Sequence, residues 1–289
     1  MASDPPDPAA AAGDTAVPEG YRNVRDRDLR GRDGLFIVES AKCVGRLLGS
    51  RFEVESLLLT PARRTELSAE LAGLEPRVPV HVVDEATITA ISGYRVHGGA
   101  LALARRPKPW TLDAAALIER VIGPVSPAAP RTLLALAGVT HMDNVGSLFR
   151  SAAGLGVDGV LLDDRCCDPL LRKPIRVAMG HSLSLPFGWS RELVADLRRL
   201  REAHGFTVVG AESSASAGGR DVHPLVALPA ADRMVILLGN EGHGLEPALL
   251  DACDALVEIP MHAGVPSLNV AVAGAVVLWE RCRRARTSG

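Results

Sequence analysis

Continuous apolar runs recur through the second half of the chain, and they constrain its fold more than any other feature. Five of them stand at residues 132–139, 159–162, 206–211, 234–238 and 255–259. A strand that is apolar at successive positions, rather than at alternate ones, is typical of a parallel sheet buried on both faces. Segments with helical spacing of apolar residues separate the runs, for example 143–156 and 192–204. The pattern predicts an α/β domain whose parallel sheet is covered by helices on both faces.

A shorter α/β pattern precedes this one and divides the chain. Its strand-like runs alternate with helical segments and stand at residues 34–39, 54–59, 78–83 and 98–104. Residues 1–19 are rich in Ala, Pro, Asp and Gly, which is typical of a disordered tail. We therefore predict four parts in chain order: a disordered tail at 1–19, a small α/β domain at 20–106, a proline-rich linker at 107–130 with a short helix at 112–121, and a larger domain at 131–289.

Composition limits the partners of the chain. The formal net charge is −2 and aromatic residues make up 3%, so neither a global basic field nor a surface of stacking rings indicates a nucleic-acid partner. Local basic patches decide RNA binding, so the charge weakens this hypothesis without excluding it. The 5 cysteines include no CxxC pair, which predicts reduced thiols rather than a disulfide framework or a zinc site.

No segment has the pattern of a membrane span or a secretory signal. The longest apolar run, 270–279, is about half the roughly 20 residues that a transmembrane helix needs. The N-terminus lacks a basic stretch followed by an apolar one. We therefore expect a cytoplasmic protein with no membrane partner.

Three polar clusters follow the carboxyl ends of predicted strands, where open α/β sheets bind ligands. The first contains Asn144 and Arg150, the second spans 239–242 and the third spans 267–269. The second has neither the spacing of a dinucleotide fingerprint nor the Lys-Ser/Thr ending of a phosphate loop. Glu241, among glycines after a buried strand, needs a partner, and Arg150 can supply it. Such a pair is either structural or part of an active site.

The loop that carries the third cluster is punctuated by proline and glycine. Pro260, Gly264 and Pro266 restrict its path, and glycine also lets the backbone approach a ligand closely. Ser267 precedes a run of small apolar residues, and we expect its hydroxyl to cap the helix that this run forms. Taken alone, the loop is equally compatible with an ordinary strand–loop–helix connection.

In this order and spacing, the three clusters resemble the motifs of the SpoU (TrmH) branch of the SPOUT RNA methyltransferases. The motifs are matched by residues 144–152, 238–245 and 259–271, with further similarity between them at 176–180 and 185–186. The resemblance covers roughly residues 131–285. Residues 30–106 also resemble, more loosely, the small ribosomal-protein-like substrate-binding domain that is often fused ahead of it.

The resemblance implies both a fold and an activity. The fold class is α/β, with a C-terminal parallel-sheet domain tied in a trefoil knot and a smaller N-terminal α/β substrate-binding domain. The activity is methyl transfer from S-adenosylmethionine (AdoMet) to a ribose 2′-hydroxyl of ribosomal or transfer RNA. S-adenosylhomocysteine is the product, and no metal takes part. A homodimer with a composite active site is also implied.

The resemblance further assigns roles to individual residues. Those expected to hold the cofactor are Leu238, Gly239, Asn240, Gly242, Ile259, Met261, Ser267 and Leu268. Those expected to form the catalytic set are Asn144, Arg150, Glu241, Ser267 and Asn269. Arg150 is also expected to contact RNA, and the local positive charge of a basic run, rather than the resemblance, adds Arg172 and Arg176 as expected contacts of the RNA backbone. The basic run that holds the last two is alternatively a solvated helix face.

The chemistry matches these residue types. A ribose hydroxyl is a poor nucleophile at neutral pH, and it must lose its proton while it is aligned with the methyl group. Arg150 is the base that the resemblance suggests, but a free guanidinium is effectively always protonated, so we expect an electrostatic role. Glu241 would orient Arg150, and Asn144 and Asn269 would position substrate and backbone. The histidines near the motifs have no metal-ligand spacing, so no metal site is predicted.

Two other functions compete with this hypothesis. One is a non-catalytic RNA-binding or ribosome-assembly factor that has kept the knotted fold, and the intact predicted catalytic set argues against it. The other is a nucleotide-dependent oxidoreductase, which the missing dinucleotide fingerprint disfavours. Nothing in the sequence specifies the target RNA or nucleotide.

Overall fold

The computed structural model describes residues 17–22, 34–74, 77–93, 96, 98–108, 112–123, 129–240, 242–263 and 265–287. The chain folds as two compact units. The first is drawn from Met1–Pro107 and Leu170–Ser184, and the second from Lys108–Pro169 and Leu185–Gly289.

Strands and helices alternate along the described chain. The strands are β1 (Leu35–Glu39), β2 (Val54–Leu59), β3 (Val80–Val82), β4 (Ala100–Arg105), β5 (Arg131–Leu136), β6 (Gly159–Asp163), β7 (Phe187–Ser190), β8 (Thr207–Ala211), β9 (His223–Pro224), β10 (Arg233–Leu238) and β11 (Ala255–Glu258). The helices are α1 (Ala41–Leu48), α2 (Pro61–Glu66), α3 (Ser68–Leu71), α4 (Glu85–Ser92), α5 (Ala114–Ile122), α6 (Met142–Gly154), α7 (Arg172–Val177), α8 (His181–Ser184), α9 (Leu193–His204), α10 (Pro247–Leu250) and α11 (Val270–Thr287).

A four-stranded sheet in the order β1-β4-β2-β3 forms the first unit. β4 pairs antiparallel with β1 and β2, and β3 is parallel to β2. Tyr21 is fully buried in the core; its hydroxyl donates to the carbonyl oxygen of Ser56 at 2.8 Å and accepts from the amide of Leu103 at 3.2 Å. Val17, inside the stretch predicted as a tail, is buried in the same core. Residues 1–16 of that stretch are not described.

A segment from far along the chain completes the first unit. α7 packs on β1, α8 packs on α1, and Ile175 is fully buried. The carboxylate of Glu39, 1% exposed at the end of β1, lies 3.9 Å from Nε of Arg172 and 3.7 Å from Nη1 of Arg176. The sequence analysis included this segment in the larger domain at 131–289. Apolar runs predict the order of the elements but not the partner against which each one packs.

Seven strands in the order β7-β6-β5-β10-β8-β11-β9 form the sheet of the second unit. Every pairing between these described strands is parallel, so the predicted parallel sheet is confirmed. β10 is buried along its whole length between β5 and β8. Because neighbouring parallel strands end at the same edge of a sheet, the loops that follow β8, β10 and β11 come together there.

Helix α5 lies inside the segment predicted as a linker. Asp113 caps it by accepting a hydrogen bond from the amide of Ala116 at 2.8 Å. Leu117 and Ile118 are buried in the same core as residues of β5 and β6. A Cβ on Gly188 in β7 would lie 2.5 Å from the carbonyl oxygen of Asp113, so glycine permits this close packing. The short helix predicted at 112–121 is therefore present, and it belongs to the core of the second unit.

Helix α11 packs on α6 and β10 in the second unit. Gly274 permits the contact, because a Cβ there would lie 2.5 Å from Cδ2 of Leu148 and 2.7 Å from Cδ1 of Leu238. Further along α11, the buried Arg281 donates to the carbonyl oxygen of Asp232 at 2.8 Å. None of the helices that the structure describes, α11 included, is long and apolar enough to cross a membrane.

Candidate functional site

A cavity of about 330 Å³ opens where β8, β10 and β11 end. Its wall includes every residue that the sequence predicted to hold a cofactor: Leu238, Gly239, Asn240, Gly242, Ile259, Met261, Ser267 and Leu268. The second and third sequence motifs therefore meet at one cavity, at the edge of a parallel sheet where ligands bind. The roles of these residues stay predictions.

The turn after β10 is held by the side chain of Asn240. Its nitrogen donates to the carbonyl oxygen of Gly138 at 2.8 Å, and its oxygen accepts from the amide of Gly242 at 2.8 Å. The backbones of Asn240 and Gly244 exchange two hydrogen bonds, of 3.2 and 2.9 Å. The side chain of Asn240 is therefore committed to fixing the turn. Glu241, predicted to be catalytic, lies outside the described residues.

Glycine is required at both ends of this turn. A Cβ on Gly239 would lie 2.5 Å from the carbonyl carbon and oxygen of Gly244. Gly244 has a φ of +67°, and a Cβ there would lie 2.2 Å from a carboxylate oxygen of Glu212. A side chain at either position would displace backbone or a charged group, so the turn keeps its close approach only with glycine.

The sequence analysis missed one wall of the cavity. Five further lining residues, which follow β8 or end β11, are Glu212, Ser213, Ala215, Ser216 and Glu258. Polar residues directly after the apolar run 206–211 meet the criterion that selected the three clusters, so a signal was present. Residues 213–219 are serine, alanine and glycine, a composition typical of a flexible loop, and the signal was therefore overlooked.

Both carboxylates on this wall accept hydrogen bonds from neighbouring loops. Glu212 accepts from the amide of Leu245 at 2.7 Å and from the amide of Ser213 at 2.9 Å. Glu258 accepts from the amide and the hydroxyl of Ser214, at 2.8 and 2.7 Å. The hydroxyl and then the amide of Ser214 hold the pKa of Glu258 below its usual value. These bonds tie the loop after β8 to the loop after β10 and to the end of β11.

Two asparagines of the predicted catalytic set are in direct contact. The side-chain nitrogen of Asn269 donates to the side-chain oxygen of Asn144 at 3.0 Å. The oxygen of Asn269 accepts from the amide of Ala271 at 2.9 Å and so caps α11. The prediction that Ser267 caps this helix is wrong, because the helix begins only at Val270. Ser267 is instead exposed on the cavity wall.

Arg150, predicted to be catalytic, is exposed on α6 and is not among the described residues that line the cavity. The side chain of Arg150 forms no hydrogen bond or ion pair with a described residue. Its predicted pair with Glu241 involves a residue that the structure does not describe. A protonated guanidinium can donate to a phosphate or hydroxyl oxygen, so the chemistry of Arg150 suits an RNA ligand.

Arg172 and Arg176, predicted to contact RNA, belong to the first unit and are absent from the described cavity lining. Their shared neighbour is the buried carboxylate of Glu39, and 27% and 42% of their side chains are exposed. A buried carboxylate needs nearby positive charge, so both arginines have a structural task. Contact with RNA stays a prediction for both.

A second concavity, of about 490 Å³, lies along α6 and α11. We call it the apolar face, and its residues are Ser147, Ser151, Asn269, Ala271, Val272, Ala275, Val276 and Trp279. Trp279 and Val272 are 54% and 51% exposed. Contiguous exposed apolar area of this kind marks a surface that binds a partner. Arg150 stands between Ser147 and Ser151 on α6, at the border of this face.

Other reactive groups in the described residues do not form a second catalytic centre. No three His, Cys, Asp or Glu side chains there are placed to hold a metal ion. Burial raises the pKa of Cys166, and it raises the pKa of Cys253 to about 12. These thiols are protonated at neutral pH and are therefore not nucleophiles.

Comparison with known proteins identifies the family. Residues 131–279, just over half of the chain, match the SpoU rRNA Methylase family. The chain is 36% identical over 260 residues to an uncharacterized tRNA/rRNA methyltransferase of Mycobacterium bovis, with 90% of this chain and 84% of the relative covered. The chain belongs to the SpoU rRNA methylase family, and the resemblance inferred from its three motifs is confirmed.

Two further comparisons concern activity and fold. The chain is 34% identical over 190 residues to the 23S rRNA (guanosine-2′-O-)-methyltransferase RlmB of Yersinia pestis, covering 65% of this chain and 72% of that protein. The SpoU methyltransferase AviRb of Streptomyces viridochromogenes, solved in complex with AdoMet, matches with a TM-score of 0.71 and 26% identity, covering 91% of this chain and 95% of that one. The expected fold class is confirmed, and the trefoil knot stays a prediction.

Proposed function

We propose that this protein is an AdoMet-dependent RNA methyltransferase that methylates a ribose 2′-hydroxyl of ribosomal or transfer RNA. One observation carries the proposal: the residues that the family motifs assign to the cofactor all lie on the wall of one cavity. Two similar proteins support it, since RlmB is named a 2′-O-methyltransferase of 23S rRNA and AviRb binds AdoMet.

The cavity has a size and a lining that suit AdoMet. Its volume of about 330 Å³ lies within the range of small-molecule sites, roughly 300 to 1,000 Å³. At Gly239 and Gly244 the backbone is packed so closely that a Cβ would collide with neighbouring atoms. Leu238, Ile259 and Met261 provide an apolar part of the same wall. AdoMet, when bound, supplies a methyl group that the positive sulfur already activates.

Arg150 is the residue that we assign to the RNA. A guanidinium donates hydrogen bonds and has no acceptor, so Arg150 stabilises negative charge on the ribose oxygen or holds an adjacent phosphate rather than accepting a proton. Asn144 and Asn269 position the start of α11 against α6 through their hydrogen bond. Because Leu268 and Val270 on either side of Asn269 line the cavity, this bond also positions the cavity wall. We assign to Glu241 the role of orienting the guanidinium of Arg150.

A homodimer with a composite site accounts for the position of Arg150. The apolar face holds three large exposed apolar side chains, Val272, Val276 and Trp279, which a second copy of the chain would cover. Asn269 belongs to the apolar face and its neighbours belong to the cavity, so the two surfaces adjoin. Arg150 borders the face, and in a dimer it can reach the cavity of the other copy.

We assign the selection of the target RNA to the first unit. Its exposed cations include Lys42, Arg64 and Arg105, and the exposed part of Arg176 adds to them. Phosphate contacts of this type position RNA, while unpaired bases in loops carry the sequence information. We place the protein in the cytoplasm, where its 5 free cysteines stay reduced.

Methyl transfer from labelled AdoMet to RNA tests the proposed function. Purified protein is incubated with unmodified ribosomal RNA and, separately, with unmodified transfer RNA. Label should enter one of them, and alkali-resistant dinucleotides should place it on a ribose 2′-oxygen. Mapping ribose methylation in RNA from cells with and without the protein then identifies the nucleotide.

One outcome favours the competing hypothesis. If the protein binds AdoMet and RNA but labels neither RNA, it is a non-catalytic RNA-binding or ribosome-assembly factor. If label is found on a base instead of a ribose, the methyltransferase class stands and the 2′-hydroxyl acceptor is wrong.

A further inference from the structure

The cofactor cavity carries negative charge. Of the described residues that line it, Glu212 and Glu258 are the charged ones, and none is Lys, Arg or His. Neither carboxylate forms an ion pair with a described cation. Their negative charge is therefore not neutralised by a salt bridge within the described part of the chain.

The position of Glu212 is fixed. Its Oε2 accepts from the amide of Leu245 at 2.7 Å and its Oε1 from the amide of Ser213 at 2.9 Å. Gly244 leaves the space that the carboxylate occupies, since a Cβ there would collide with Oε2. Both partners are neutral amides, so they hold the carboxylate in place and bring no formal positive charge to it.

Glu258, the last residue of β11, contacts the loop that follows β8. Its Oε2 accepts both hydrogen bonds from Ser214, and these hold the pKa of the carboxyl below its usual value. Glu258 is therefore ionised throughout the neutral range. Together with Glu212 it places two fixed negative charges on one cavity wall.

The substrate and the product of the proposed reaction differ in charge at one atom. Transfer of the methyl group to the ribose oxygen breaks the carbon–sulfur bond, forms the carbon–oxygen bond and leaves the bonding electron pair on sulfur. The hydroxyl proton goes to solvent. The sulfonium thus becomes a neutral thioether, while every other group of the cofactor is unchanged.

We infer that Glu212 and Glu258 make the cavity select the positively charged sulfonium cofactor over its neutral thioether product. The inference rests on the proposed function. The attraction between the wall and the sulfur is present before transfer and absent afterwards, so the same two side chains favour cofactor binding and product release. The selectivity of each carboxylate is about threefold to tenfold, the size expected for a charge several ångströms away in a high effective dielectric.

Ligand affinities of glutamine variants test this inference. The full-length protein, Glu212→Gln, Glu258→Gln and the double variant are titrated with AdoMet, S-adenosylhomocysteine and sinefungin, whose protonated amine replaces the sulfonium. The dissociation constant of S-adenosylhomocysteine divided by that of AdoMet measures the selectivity. This ratio should fall in each single variant and fall furthest in the double variant. Sinefungin should follow AdoMet. Glu202→Gln, an exposed carboxylate on α9, is the matched control and should change no ratio.

The readout separates charge selection from support of the loops. A variant that only loosened the loops would weaken the binding of AdoMet and of S-adenosylhomocysteine equally. This result in both single variants would overturn the inference. Added salt should weaken the binding of AdoMet more than that of S-adenosylhomocysteine in the wild type, because screening reduces the attraction between the carboxylates and the sulfonium, a charge that only AdoMet carries. Failure of the wild type to bind either ligand would instead contradict the proposed function.

Discussion

Two concavities adjoin at the first turn of α11, and they are built from different material. The cavity at the ends of β8, β10 and β11 is walled by loop backbone, two carboxylates and apolar side chains such as Leu238 and Ile259, whereas the apolar face is walled by side chains of two helices. A small polar ligand is recognised by a few fixed hydrogen-bonding groups, and a protein partner by contiguous apolar area. The first turn of α11, which Asn269 caps, therefore borders two surfaces that suit different kinds of ligand.

The largest expected effect belongs to Arg150, which borders the apolar face and not the cavity. Arg150→Ala should lower methyl transfer by about 10²- to 10³-fold, the loss typical of removing one charge-stabilising donor. The AdoMet dissociation constant should stay close to the wild-type value. Single-turnover transfer and equilibrium binding measure the two effects, with Arg198→Ala, an exposed arginine on α9, as control. Equal losses in both assays would show that Arg150 shapes the cavity.

Gly244→Ala should damage the cavity and leave the apolar face intact. Gly205→Ala is the matched control, since Gly244 and Gly205 have φ values of 67° and 66°, and alanine costs each about 1 to 2 kcal/mol of backbone strain. Only at Gly244 does the added Cβ also meet a carboxylate, that of Glu212, while nothing lies within 4 Å at Gly205.

AdoMet binding should therefore weaken by at least about tenfold in Gly244→Ala, which corresponds to roughly 1.4 kcal/mol, and little in Gly205→Ala. Calorimetric titration measures the binding, and sedimentation measures self-association. Similar AdoMet binding by the two variants would mean that the turn tolerates a side chain against Glu212.

Trp279→Glu should break the apolar face and spare the cavity. Trp279 is 54% exposed, and a charge in its place should raise the dimer dissociation constant by about thirtyfold, the loss typical of a central aromatic contact. Methyl transfer should fall with the dimer if the site is composite. Val226→Glu, 72% exposed and outside the face, should change neither. A monomeric variant with full activity would exclude a composite site.

Asn269→Ala acts where the two concavities adjoin. It removes the cap of α11 and the hydrogen bond to Asn144, so the free energy of unfolding of the second unit should fall by about 1 kcal/mol. Ser267→Ala should leave this free energy unchanged, because Ser267 does not cap the helix. Urea unfolding measures both variants, and the reverse order of stability would contradict the observed cap.

The smallest effect is a pH dependence at Glu258. Its pKa is lower in the folded protein than the ordinary value of 4.5, chiefly through the hydroxyl of Ser214. The stabilisation is therefore complete above pH 4.5 and is lost as the pH falls from there through the folded-state pKa. Ser214→Ala should raise the pKa of Glu258 towards its ordinary value. Carboxyl-carbon NMR titration measures it, and an unchanged pKa in the variant would show that another group holds the charge.

Much of the second unit was predictable from sequence. The runs 132–139 and 234–238 include all of β5 and β10 except the first residue of each, since a strand buried on both faces is apolar along most of its length. The shared position of the residues predicted to hold the cofactor, on one cavity wall, was predictable for a similar reason, because short motifs place them after the ends of parallel strands. Glu212 meets the same criterion, since it directly follows the apolar run 206–211, but it was not found because the serine, alanine and glycine after it have the composition of a flexible loop.

By itself the sequence determined the family, the parallel strands and the loops that end them, because these features depend on local composition and short motifs. The tertiary structure alone decided three others. It placed Leu170–Ser184 in the first unit, put Glu212 against the turn after β10, and made Asn269 the cap of α11. The first two depend on contacts between residues far apart in the chain, such as Glu39 with Arg172 and Glu212 with Leu245, which no local pattern records. The cap is a local contact, but Asn269 is also held by its distant hydrogen bond to Asn144.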